Sequence, residues 1–263
     1  MGAYAFIAKI RVQQALAYRF DVLSTVALQF IIMISTLFFW VSAYGGKEVF
    51  DGVTREQMLT YTIMSAVLTC LFTINVENRI HMSVHRGSVA VDFLKPINVF
   101  GIYLAEDLGS IIVSFFQNAL PLLIVGSVFV MLPLPRSSVS FLLFLLSAII
   151  SYAINWLLSA SFGMIAFKVI NMGPLSAVKH HAIRLLSGSI IPLWFFPAPL
   201  QKVLGFMPFM YIYQLPLSIY IGQINGSELV FQMCVQVIWL AIFAFVFNVA
   251  RKKSVMNILV QGG

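Results

Sequence analysis

The sequence predicts an all-α integral membrane protein. It has six transmembrane helices, both termini cytoplasmic, and broken re-entrant helices between spans five and six. Three observations predict this. Of 263 residues, 60% are hydrophobic and only 10% charged, which is far outside the soluble globular range. Charge-free runs of about 20 residues, long enough to cross a ~30 Å hydrocarbon core as helices, recur along the chain. Lys and Arg collect in alternate connections, as orientation in a membrane requires.

The expected spans form a single transmembrane domain over 1–263, at 22–44, 57–76, 108–132, 140–167, 183–197 and 229–250, with a re-entrant segment at 198–224. Lys9, Arg11 and Arg19 precede the first span, and Val41-Ser42-Ala43 has the small residues of a cleavage site. The apolar run nevertheless exceeds the roughly 7–15 residues of a secretory signal, so an uncleaved anchor is expected. The second, third and fourth spans are continuous apolar runs. Between Arg184 and Glu228 lie 43 apolar-rich residues with Lys202 as the only charge. Pro192, Pro197, Pro199, Pro208 and Pro216 fall within 25 of them. Each proline removes a backbone donor and disfavours helix in the residue before it. One short crossing, 183–197, and broken re-entrant helices are therefore expected in place of two straight spans. Irregular backbone at membrane depth requires protein or a wet cavity to satisfy it. Trp194, Phe195, Phe196, Phe206, Phe209, Tyr211, Tyr213 and Tyr220 suit an outer interfacial belt.

Six spans with the amino terminus inside leave 12 of the 16 Lys and Arg residues in inner segments; seven spans leave ten. The six-span arrangement is favoured. The net charge of +7 then reflects orientation and attraction to anionic inner-leaflet lipid, and calls for no nucleic-acid partner.

Several chemistries are absent from the pattern. Cys70 and Cys234 fall inside spans and give no disulfide framework. His81 and His85 share a helix face at i and i+4 but lack the glutamate of zincin motifs, so no metal is expected. No G-x-x-x-x-G-K-[ST] occurs, so the chain is not expected to be an enzyme or to bind ATP by a P-loop; ATP and Mg belong on a separate subunit. The nine carboxylates all fall outside the expected spans or at their ends, which disfavours an ion-coupled secondary transporter. The neutral residues Asn118 and Asn155 remain as possible members of a substrate path, although such groups more often hydrogen-bond between helices. A non-transporting membrane subunit is the further alternative.

Ser187-Gly188-Ser189-Ile190-Ile191-Pro192, followed by Pro197, Leu200 and Met207-Pro208-Phe209, resembles the signature near the last two spans of type-2 ATP-binding-cassette (ABC-2) exporter permeases. The resemblance extends to chain length and span number. It implies an inner-membrane permease that moves a hydrophobic or amphipathic substrate outward. It also implies two copies of a cassette ATPase and a second permease chain, identical or related, as partners. Ser187, Gly188, Pro192, Pro197, Pro199 and Pro208 would form a gate at the outer mouth.

The loop between spans two and three carries HRGSVAVDFLKPINVF. Gly87 can end one helix, Ser88 can cap the next, and Pro96 ends that one after about two turns. The short helix presents Val89, Val91, Phe93 and Leu94, with Asp92 among them. An apolar helix at the cytoplasmic face needs a cover, either its own chain or, as the resemblance implies for a coupling helix, the ATPase. The basic stretch Lys179-His180-His181-Arg184 is expected in a second inner loop, where phospholipid and ATPase contact explain it equally well. The resemblance also implies that Tyr4–Phe20 lies along the inner interface.

Overall fold

The computed structural model describes residues 3–15, 19–88, 98–129, 138–169 and 171–261. Its helices are α1 (Ala3–Ala15), α2 (Arg19–Tyr44), α3 (Arg55–Leu71), α4 (Val76–His85) and α5 (Val99–Ser114). A π-helical turn (Phe115–Ala119) joins α5 to α6 (Leu120–Phe129), and α7 (Ser138–Gly163) comes next. The remainder is α8 (Gly173–Leu186), α9 (Ala198–Phe206), α10 (Gln214–Tyr220) and α11 (Gly226–Gln261). Among the described residues, five helical stretches are long and apolar enough to cross a membrane: Ser24–Tyr44, Arg55–His85, Val99–Val128, Ser138–Phe167 and Gly226–Ser254. Their outward faces carry Phe38, Ile149 and Phe245 well exposed, as a multi-pass membrane protein permits.

A small hairpin, β1 (Val49–Phe50) with β2 (Val53–Thr54), closes one end of the bundle. Asp51 and Gly52 make its two-residue turn with φ of 52° and 78°, the left-handed pair that an Asp-Gly turn supplies. Thr54 and Gln57 then cap α3 reciprocally. The Gln57 side chain also donates to the Ile221 carbonyl (3.1 Å), which ties the hairpin to the end of α10.

The helix expected at 183–197 lies earlier in the chain. It is α8, which begins at Gly173 and stops at Leu186. Such a helix rises about 21 Å, too little to cross alone. Gly188 sits at φ +81° and ends the helix before the prolines are reached. The basic residues that suggest a loop here are inside the helix.

The long helix α3 gives a ruler for depth in the bundle. Gln57 meets Ile221, Tyr61 meets Gly188 and Gln214, Ser65 meets Ser189, and Phe72, just past the helix end, meets Tyr213. From Gln57 to Phe72 is about 22 Å at 1.5 Å per residue. The chain therefore climbs from Ser189 toward the hairpin, where Phe195 stacks on both Trp40 and Phe50. It then folds back so that the Gln214 N–H reaches the Ser187 carbonyl while the Tyr213 ring meets Phe72, and runs through α10 to Gln57. The aromatic residues of this segment are mostly core and do not form a surface belt. Tyr211 and Tyr213 are buried, and Trp194 packs edge-on against Tyr61. Phe206 alone of that set is strongly exposed, at 81%. The largest core cluster gathers on this segment through Leu193, Leu204, Tyr211, Ile212, Leu215 and Leu217.

Candidate functional site

Broken backbone at this depth is held by side chains from neighbouring helices. Tyr61 Oη donates to the Gly188 carbonyl (2.7 Å) and lies 2.9 Å from Gln214 Oε1, which accepts from the Leu193 N–H (3.1 Å). The Gln214 N–H donates to the Ser187 carbonyl (3.0 Å). Ser65 Oγ donates to the Ser189 carbonyl (2.6 Å), and Ser189 Oγ turns back to the Arg184 carbonyl (2.8 Å). A Cβ on Gly188 would stand 2.3 Å from Gln214 Oε1 and 3.0 Å from Tyr61 Oη, so only glycine fits. A second clasp joins α7, α11 and the turn at 208–211. Gln236 Nε2 donates to the Ser147 and Tyr211 carbonyls and to Ser151 Oγ, all within 3.1 Å. Buried amides and hydroxyls thus satisfy the carbonyls that the prolines and turns leave free.

Beside this segment, α2, α3, α7 and α8 enclose a cavity of about 340 Å³, lined among others by Gln29, Thr69, Asn155, Ser159, Lys179 and Arg184. A smaller cavity of about 100 Å³ adjoins it and shares Gln29, Ile32, Thr69 and Arg184; it continues upward to Tyr61, Ser65 and Ser189. Together they trace a polar path along α3, from the level of Thr73 to the broken segment. Arg184 stands at their junction, against Thr69 near the centre of the Arg55–His85 stretch.

Two ionic clusters flank the lower end. Glu77 is 7% exposed and binds both Lys179 and Ser176 of α8, while Lys179 also reaches Ser159 Oγ (3.0 Å). Asp107 is fully buried. It pairs with Arg79 (3.1 Å), and it accepts from Trp156 Nε1 (3.0 Å) and the Asn75 N–H (3.3 Å); Arg79 also holds Glu106 (3.0 Å) and the Tyr103 carbonyl (2.9 Å). The carboxylates thus are not confined to span ends as expected: α5 starts at Val99, so Glu106 and Asp107 lie well inside it, and Glu77 lies inside Arg55–His85. Lys179 pairs with Glu77, and Arg79 is shared by Glu106 and Asp107, so all three are held in structural contacts.

The structure places the expected site residues in distinct surroundings. Ser187 is buried with no hydrogen-bond partner for its Oγ among the described residues, and Gly188 makes the helix stop. Pro192 and Pro197 precede the 3₁₀ turn at Leu193–Phe195 and helix α9 respectively; Pro199 occupies the first turn of α9, and Pro208 opens the next 3₁₀ turn. Gly87 takes φ +70° beyond α4, and Ser88 Oγ lies 3.2 Å from Ser83 Oγ. Val89, Val91, Asp92, Phe93, Leu94 and Pro96 lie outside the described residues. Asn155 lines the larger cavity. Asn118 is in the π-helical turn, where its Nδ2 donates to Ser114 Oγ (3.0 Å), and it lines neither cavity. The residues that composition does not single out are Tyr61, Gln214 and Arg184. The basic stretch 179–184 faces the protein interior through Lys179 and Arg184, a placement that neither expected contact describes.

Residues 30–256 match a family model described as ABC-2 family transporter protein. No curated protein matches the chain.

Proposed function

Because the chain belongs to the ABC-2 transporter family and is the permease of an ABC-type transporter, we propose that it is the transmembrane subunit of an ATP-driven exporter that moves a hydrophobic or amphipathic substrate outward. The observation that carries this reading is the polar path between α2, α3 and α8, which ends beneath a broken, side-chain-supported segment on the hairpin face. The family implies an ATPase component. We assign ATP and Mg to that separate cassette subunit in two copies, because the sequence holds no P-loop, and place the complex in the cytoplasmic membrane with both termini inside. A second permease chain, identical or related, completes it. The segment Ser187–Pro208 acts as the gate, and the residues Gly87–Pro96 as the contact with the ATPase.

The test is co-purification of the tagged permease from native membranes, followed by ATP-dependent accumulation of amphiphiles in inverted vesicles. A bound cassette ATPase with ATP-dependent uptake is expected. A permease that purifies without any ATPase, or uptake driven by an ion gradient alone, would overturn the proposal.

A further inference from the structure

An arginine side chain at membrane depth is costly and is retained only where it is paired, wetted or used. Arg184 is such a group. Among the described residues, the two cavities it joins are lined by Lys179, His180 and Arg184 and by no Asp or Glu. Lys179 is neutralised by Glu77. Among the described residues, no carboxylate lies within ion-pair distance of Arg184, and the uncharged polar residues Gln29, Thr69, Ser65 and Ser189 line the smaller cavity with it. A low-dielectric channel lined by one sign of charge concentrates the opposite sign. The planar guanidinium further favours a group that accepts two parallel hydrogen bonds, such as a phosphate or a carboxylate. Ile32, Phe72 and Ile183 add apolar lining to the larger cavity.

Resting on the export reading above, we infer that the cargo is an anionic amphiphile whose acidic head group is held by Arg184 between Thr69 and Gln29 while its tail lies along α2. The head group enters from the level of Lys179 and Ser159, and passes Arg184 on the way to the break at Gly188–Ser189, whose carbonyls are taken by Tyr61 and Ser65. Lys179 is already committed to Glu77, so Arg184 supplies the unmatched charge that selects acidic cargo.

The experiment uses the full chain in phosphatidylcholine nanodiscs and fluorescent dodecyl amphiphiles that differ only in head group: phosphate, tri(ethylene glycol) or trimethylammonium. Binding is read by anisotropy, with empty discs subtracted. The phosphate probe is expected to bind roughly ten- to a hundredfold more tightly than the glycol probe, as charge-assisted hydrogen bonds provide. Arg184→Gln should erase that ratio, and Arg184→Lys should keep part of it. If Arg184→Gln does not yield a monodisperse protein, Arg184→Lys and Thr69→Val carry the test, each lowering the phosphate preference without changing glycol binding. Equal binding of all three head groups, or an unchanged ratio in the variants, overturns the inference even if ATP-driven export is confirmed. If instead no ATPase is found while the head-group preference holds and depends on Arg184, the export reading fails and the site stands. Discs of phosphatidylcholine mixed with phosphatidylglycerol distinguish cargo from bilayer lipid: displacement of the phosphate probe by phosphatidylglycerol would assign the site to resident lipid and overturn the cargo assignment.

Discussion

Gly188→Ala should destabilise the permease by an amount that the local geometry sets. At φ +81° an alanine carries a left-handed strain of about 1–2 kcal/mol. Its Cβ would also stand 2.3 Å from Gln214 Oε1, so the Gln214 amide must withdraw. Withdrawal removes the acceptor of the Leu193 N–H, a buried donor, at about 1–3 kcal/mol. The total, about 2–5 kcal/mol, corresponds to a fall of roughly 4–20 °C in unfolding midpoint for a chain of this size. The assay is size-exclusion of the fluorescently tagged permease after heating in detergent. Gly205→Ala is the control, because a Cβ there meets nothing within 4 Å and α9 accepts alanine readily. If the two variants melt together, the interlock between Tyr61, Gly188 and Gln214 does not hold the broken segment, and the reasoning fails.

Asp107→Ala leaves Arg79 with Glu106 as its remaining carboxylate and strands the buried Trp156 N–H, and should cost about 2–4 kcal/mol in the same melting assay, whereas Trp156→Phe should cost only about 1 kcal/mol; equal losses would contradict the charge-pair account. Replacing Pro192 and Pro197 together by alanine should favour continuous helix and lower transport while membrane insertion and ATPase binding persist; normal transport by that variant would remove the gate role. Phe93→Ala with Leu94→Ala deletes side chains worth roughly 3–6 kcal/mol of gross burial, and should weaken pull-down of the ATPase and uncouple its turnover from cargo. Unchanged coupling would move the docking site to the chain between Phe167 and Gly173.

The outline of the fold is legible because lipid imposes it: four of the expected spans overlap helices with similar limits, and the proline cluster marks a segment that cannot be straight. The same reasoning misplaces the fifth helix by about ten residues. Lys179 and Arg184 signal water by their charge, but Lys179 is neutralised by Glu77, a residue 102 positions away, which no local pattern reveals. The carboxylates at 106 and 107 point to a loop for the same reason; Arg79, 24 residues from Tyr103, covers them. The aromatic cluster reads as a belt because composition does not distinguish a ring at an interface from one in a core. Asp51-Gly52 between Val-Phe and Val-Thr carries, by contrast, a local hairpin signal that a reading for apolar spans passes over.

The lost helical hydrogen bonds are not spread evenly along the broken segment. Below Leu186, α8 is continuous and is locked to α4 and α7 through Lys179, Glu77 and Ser159. At Tyr211, the chain is locked to α7 and α11 by Ser151 and Gln236, which both donate to its carbonyl. Between these two fixed points, the backbone from Ser187 to Leu193 is joined to α3 by only a few hydrogen bonds, from Tyr61 and Ser65. Each such bond contributes about 1 kcal/mol net. Displacement of α8 relative to α3 therefore loads these bonds directly. Such a displacement also changes the separation of Arg184 from Thr69, two residues that the cavities share. Movement at the helix stop and the shape of the polar path are consequently the same degree of freedom. A push applied to the lower end of α8 or α4 would reach the break without an intervening flexible joint.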